Sequence, residues 1–111
     1  MAVEISFFGR TAAVVGGGGG GIGSSVCERI AQAGADIIAV SSVQEHVDDT
    51  VERAEALGVR ASAQVADVSD FGALRTAIDN GAQTLAAPDL LVNVVGGVTP
   101  QYWHRLSDYP I

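Results

Sequence analysis

Residues 11–23 read TAAVVGGGGGGIG, and the reading of this stretch decides the fold. Thr11 to Val15 is a short apolar run closed by glycine, the pattern of a strand buried on both faces. Gly16 to Gly21 follow as six consecutive glycines. Beyond them Ile22, Val26, Ile30 and Ala33 recur at spacings of four, four and three. That spacing predicts an amphipathic helix with these four residues on its buried stripe, ended by Gly34. Six glycines in isolation would suit a flexible linker. A linker, however, has no reason to begin where an apolar strand ends and to stop at the first turn of a helix. In a strand–turn–helix setting, glycines admit positive φ and let the backbone approach a phosphate closely. The helix N-terminus adds free N–H groups and a partial positive charge, so the segment reads as a dinucleotide-binding turn.

Working outward, Asp36 to Val40 (DIIAV) predicts a second strand. Between Val43 and Leu57, the positions Val47, Val51, Ala54 and Leu57 follow helical spacing, with Glu45, Asp48, Asp49, Glu52 and Glu55 on a solvated face and Gly58 as the stop. Arg60 to Val65 predicts a third strand. DVSD at 67–70 then leads into a helix carrying Phe71, Leu74, Ile78 and Leu85 on one face, with Ser69 or Asp70 as N-cap. Leu90 to Val95 (LLVNVV) predicts a fourth strand, ended by Gly96 and Gly97. Strict alternation of strand and helix implies an α/β, Rossmann-type doubly wound parallel sheet. The expected strand order is 3-2-1-4, with helices on both faces and further strands needed to complete the sheet.

The 111 residues suffice for one domain with a modest core. A net charge of -7 disfavours nucleic acid and anionic membrane surfaces as partners. Cys27 is the single cysteine, which rules out an internal disulfide or a cysteine-based zinc site and suits a cytoplasmic setting. It reads as a small core residue, and His46 and His104 as surface or packing residues. The apolar stretch Ile5 to Phe8 is too brief for an export signal or a membrane span.

Three landmarks in order carry a family resemblance. Gly17, Gly21, Ile22 and Gly23 resemble the TGxxxGIG turn of the short-chain dehydrogenases, with Gly16 in place of the usual Thr. The DVSD segment lies at the family's spacing, and LVNVVGG at 91–97 resembles its LVNNAG strand end. The resemblance spans about Phe8 to Pro110 and implies that residues 1–111 are the N-terminal, nucleotide-binding part of such a domain. It further implies that Gly17, Ile22 and Gly23 line the pyrophosphate, that Asp67 and Val68 meet the adenine, and that Asn93 and Gly96 border the ribose and fix the fourth strand. Gly16 lacks the hydroxyl with which the family braces this turn. Val94 and Val95 stand where it has Asn and Ala, so that Val95 adds bulk beside the cofactor.

Choice between dinucleotides falls at the end of the second strand, where an acid would bind the ribose hydroxyls and repel a 2′-phosphate. Ser41 and Ser42 stand there, and two hydroxyls without an acid point to NADP, with NAD as the alternative. No Arg or Lys follows, and Gly20 sits where NADP-preferring relatives often place a basic residue. The family's chemistry uses a Tyr whose proton exchange depends on a Lys four residues on, together with a Ser that orients the carbonyl. These 111 residues contain no lysine, and Leu106 stands four places after Tyr102. The resulting expectation is the cofactor part of an NAD(P)-dependent oxidoreductase that moves hydride between a nicotinamide and a carbonyl or secondary alcohol. The alternatives are a non-catalytic subunit supporting an active homologous partner, or a truncated fragment. Val98 to Pro110 resembles the family's loop into the next helix. LLVNVV carries no charge or Pro to protect an edge, so the fourth strand is expected to pair with further polypeptide or in a homo- or hetero-oligomer.

Overall fold

A computed structural model describes residues 4–18, 21–95 and 105–108. Strands β1 (Thr11–Val15), β2 (Asp36–Ser41), β3 (Ala61–Val65) and β4 (Leu90–Asn93) alternate with helices α1 (Ile22–Gln32), α2 (Gln44–Ala56) and α3 (Phe71–Thr84). The sheet is parallel throughout, in the order β3-β2-β1-β4. Ala13 pairs with Ile38 on one side and with Leu91 on the other, as the alternation of elements requires.

Helices cover both faces of the sheet. On one face Ala12, Val14, Ile37 and Ala39 pack with Cys27 and Ala31 of α1 and with Val47 and Ala54 of α2. On the other, Ala13, Ile38 and Val40 pack with Ala66 and with Ala77 of α3. Ile37 and Ile38 are fully buried, and each contributes about 1.5–3 kcal/mol to burial. Helices α1 and α2 are followed by glycines at positive φ, Gly34 at 103° and Gly58 at 94°.

The helix faces differ from the sequence expectation by a rotation. On α1 the buried residues are Gly23, Ser24, Cys27 and Ala31; Val26 and Ile30 are half-buried and Ile22 is 74% exposed. On α3 Ala77 and Gly81 are buried while Phe71 lies in the open. Small residues face the sheet because both helices approach it closely. A Cβ on Gly81 would lie 2.5 Å from Ile38 Cγ2, and one on Gly23 would run into the Gly16 carbonyl. The larger side chains occupy the rims, where the approach is less tight.

Two carboxylates tie neighbouring strands at their N-terminal ends. Asp36 accepts from the Arg60 backbone N–H at 2.9 Å and from its guanidinium at 2.9 and 3.2 Å, joining β2 to β3. Asp89 accepts from the Thr11 backbone N–H at 3.0 Å and from Arg10 at 3.1 Å, joining the start of β4 to β1. Among the described residues no strand pairs with the other side of β4, and Leu91 is 69% exposed.

Candidate dinucleotide site

The parallel order brings the C-terminal ends of all four strands to one side of the molecule, and the described residues singled out in the sequence lie at or just beyond those ends. β1 is followed by Gly16, whose φ of 88° is open to glycine and strained for other residues. The N–H groups of Gly16 and Gly17 both donate to the Val40 carbonyl of β2, at 2.8 and 3.1 Å. Gly17 and Gly23 are buried. Neither has room for a Cβ, since one on Gly17 would lie 2.9 Å from the Val14 carbonyl oxygen. Around Gly21, by contrast, there is open space.

Gly21 is the N-cap of α1, and neither a capping side chain nor an acidic residue serves the first turn of that helix. α3 differs: Asp70 caps it by accepting from the Ala73 N–H at 3.0 Å. The positive end of the α1 dipole therefore falls at the glycine turn, an arrangement that suits an anion such as a pyrophosphate. Ile22, expected beside the pyrophosphate, projects into the open from this same turn.

Ser41 ends β2 and Ser42 follows it, half-buried and exposed respectively. With Gly16, Ala66, Asp67, Val68 and Val95 they line one cleft of about 140 Å³. Four expected residues thus share a wall, and the valine that departs from the family pattern stands among them. Asp67 Oδ1 accepts from the Ser69 N–H at 2.9 Å and from its hydroxyl at 2.7 Å. The backbone bond first, and the hydroxyl second, hold this carboxyl below the usual Asp range. Asn93, at the end of β4, turns its Oδ1 onto the Val95 N–H at 3.1 Å. Gly96, Tyr102 and His104 lie outside the described residues.

The sequence reading missed Thr50. It is buried on α2, and its hydroxyl donates to the Gly17 carbonyl at 2.8 Å. The signal was present in the chain, since Thr50 follows Val47 by three and precedes Ala54 by four, both core positions. Cys27, expected in the core, is there; its thiol also reaches the Gly17 carbonyl, at 3.6 Å.

The short chain dehydrogenase family pattern matches residues 11–110. The chain belongs to the short-chain dehydrogenase family. Among curated short-chain dehydrogenases, it is 36% identical over 88 residues to the 2,3-dihydro-2,3-dihydroxybenzoate dehydrogenase of Bacillus subtilis, covering 79% of this chain and 34% of that protein. Among solved structures of the family, it superposes on carveol dehydrogenase from Mycobacterium avium, determined in complex with NAD, with a TM-score of 0.82 and 29% identity. That match covers 94% of this chain and 41% of the other. An NAD+-bound xylitol dehydrogenase superposes with a TM-score of 0.72 and 27% identity, covering 77% of this chain and 32% of the other. The chain thus spans about a third of the length of the curated short-chain dehydrogenases it matches.

Proposed function

We propose that these 111 residues are the N-terminal, cofactor-binding part of an NAD(P)-dependent oxidoreductase that transfers hydride between a nicotinamide and a carbonyl or secondary alcohol. The observation that carries this reading is the uncapped N-terminus of α1 set against a turn in which Gly17 and Gly23 leave no room for side chains. Gly17, Ile22 and Gly23, in the turn that Gly21 closes, would line the pyrophosphate, Asp67 and Val68 would meet the adenine, and Asn93 and Gly96 would border the ribose and fix the fourth strand. NAD bound to the M. avium relative supports dinucleotide binding as a class.

Within that class we favour NADP, because Ser41 and Ser42 present hydroxyls and no carboxylate at the end of β2. The preference is modest. Among the described residues no Arg lines the cleft, and Asp67 does. Two hydroxyls supply about 1 kcal/mol each at most, so NADP should lead NAD by roughly thirtyfold or less.

Proton transfer needs residues outside these 111, since the chain holds no lysine to pair with a tyrosine. Pairing of the exposed β4 edge with further polypeptide, within one chain or in an oligomer, completes the sheet in this reading. A single buried thiol is in keeping with a reducing, cytoplasmic setting.

Calorimetric titration of the full native polypeptide with NADPH and NADH tests the proposal. Saturable binding of either dinucleotide, lost in Gly23→Val, is the expected result, and a clear preference for NADH would overturn the NADP assignment. A second reading draws on Val95, whose side chain lies in the cleft where the family pattern has a smaller residue. Absence of binding to both dinucleotides would favour that reading, a non-catalytic subunit that retains the fold to support a homologous partner.

A further inference from the structure

Two contacts connect the second helix to the glycine turn. Thr50 is 2% exposed, and its hydroxyl stands 2.8 Å from the Gly17 carbonyl oxygen and 3.0 Å from the His46 carbonyl oxygen of its own helix. A threonine hydroxyl has one proton, and the shorter of the two contacts crosses from α2 to the turn. The Cys27 thiol of α1 approaches the same Gly17 oxygen at 3.6 Å. Next along the turn, a Cβ on Gly18 would lie 2.6 Å from His46 Cβ, so α2 presses directly on the backbone there. On its other side, the Gly17 N–H donates to Val40 at 3.1 Å. Both polar groups of Gly17 are therefore engaged by the β2–α2 unit.

Peptide planarity gives this arrangement a consequence. In a trans peptide the C=O of one residue and the N–H of the next point in opposite directions. A Gly17 carbonyl drawn inward toward Thr50 turns the Gly18 N–H outward, away from the core. Glycine at both positions would otherwise leave this peptide plane free to rotate. We infer that Thr50 is a positioning residue for the dinucleotide turn: it fixes the Gly17–Gly18 peptide so that the Gly18 N–H faces the cofactor phosphates. The inference rests on the dinucleotide reading above and adds to it a contact made through the backbone from a helix that need not touch the cofactor.

The test compares Thr50→Val, which keeps the shape and removes the hydroxyl, with Thr50→Ser, which restores it, in the full native polypeptide. NADPH and NADH affinities, thermal midpoints and the amide signals of Gly17 and Gly18 are measured for each. Thr50→Val should weaken dinucleotide binding by about fivefold or more and speed Gly18 amide exchange, while Thr50→Ser stays within about twofold of the parent. In the unsubstituted protein the Gly18 amide signal should shift as dinucleotide is added. Unchanged affinity in Thr50→Val, equal losses in the two variants, or a Gly18 amide indifferent to saturating dinucleotide would each overturn the inference. If Thr50→Val does not fold, the Gly18 shift in the unsubstituted protein decides. Should the unsubstituted protein bind neither dinucleotide, the cofactor reading fails separately. Gly18 exchange in Thr50→Val then judges the brace alone, faster exchange supporting it and an unaltered rate refuting it.

Discussion

Gly16 and Val95 share one space between the ends of β1 and β4. A Cβ on Gly16 would lie 3.2 Å from the Val95 backbone nitrogen and 3.4 Å from Val95 Cγ2. Two of the three departures from the family's pattern therefore face each other, and the side chain absent at one position is matched by bulk at the other. Gly16→Thr should destabilise the protein by about 2 kcal/mol or more, since a β-branched residue is forced to a φ of 88°. Val95→Ala should recover part of that loss, with a coupling of about 0.5–1 kcal/mol in a double-mutant cycle by denaturant unfolding. Full additivity would mean that the two positions do not compete for space. The φ strain remains in the double variant, so recovery stays incomplete.

Gly72 and Gly81 both lie in α3, and the same substitution should act on them with opposite sign. Replacing a helical glycine by alanine gains up to about 1 kcal/mol in propensity. At Gly72 the new Cβ meets only Asp70 Oδ1, at 3.5 Å, so Gly72→Ala should raise the thermal midpoint. At Gly81 it would lie 2.5 Å from Cγ2 of the fully buried Ile38. Overpacking of that kind costs about 1–3 kcal/mol and outweighs the gain, so Gly81→Ala should lower the midpoint.

Asp89 should make the β1–β4 junction acid-sensitive. The Thr11 N–H is the main influence holding its carboxyl below the ordinary value; partial desolvation opposes this and Arg10 assists it. A carboxyl lowered in the folded state adds stability once pH exceeds its unfolded value, and that contribution disappears as pH falls through the lower folded value. Asp89→Asn should therefore reduce the thermal midpoint at neutral pH. Its difference from the parent should begin to close as pH drops below about 4 and vanish only once pH is below the lowered folded value, where the parent carboxylate is itself neutralised. A pH-independent difference would show that charge plays no part at this junction.

Cys27 should be silent to thiol reagents in the folded protein. Burial pushes its thiol pKa up to about 12, far from the reach of neutral pH. Iodoacetamide at about pH 8 should leave the native chain unmodified and label it at a single site in denaturant. Rapid native labelling would indicate that α1 opens away from the sheet.

Strand order and helix placement were legible in the sequence because buried parallel strands appear as short apolar runs between glycines, and the crossover rule leaves few ways to join them. The helix faces were not. In α1 the large residues Ile22, Val26 and Ile30 fall at helical spacing and outweigh Gly23, Cys27 and Ala31, which repeat with the same period and form the buried side. Hydrophobic size marks a stripe, whereas close approach selects for smallness, and here the second effect decides. In the site, Ser41 and Ser42 could be located from the end of the second strand, whereas Asp67 and Val68 came from the resemblance of the DVSD segment. Thr50 could not be assigned to the turn, because its partner is a backbone carbonyl 33 positions away in the chain.

The carboxylate ties of Asp36 and Asp89 sit at the N-terminal ends of the strands, opposite the cleft that holds Ser41, Ser42 and Asp67. This separation bears on how such a domain can change over generations. Ser42 is exposed and touches neither core cluster, so mutation there can introduce a cation or an acid without drawing on the stability held by the sheet and its opposite end. Selection on ligand preference can then act through the cleft rim one substitution at a time, without first acquiring a compensating change in the interior.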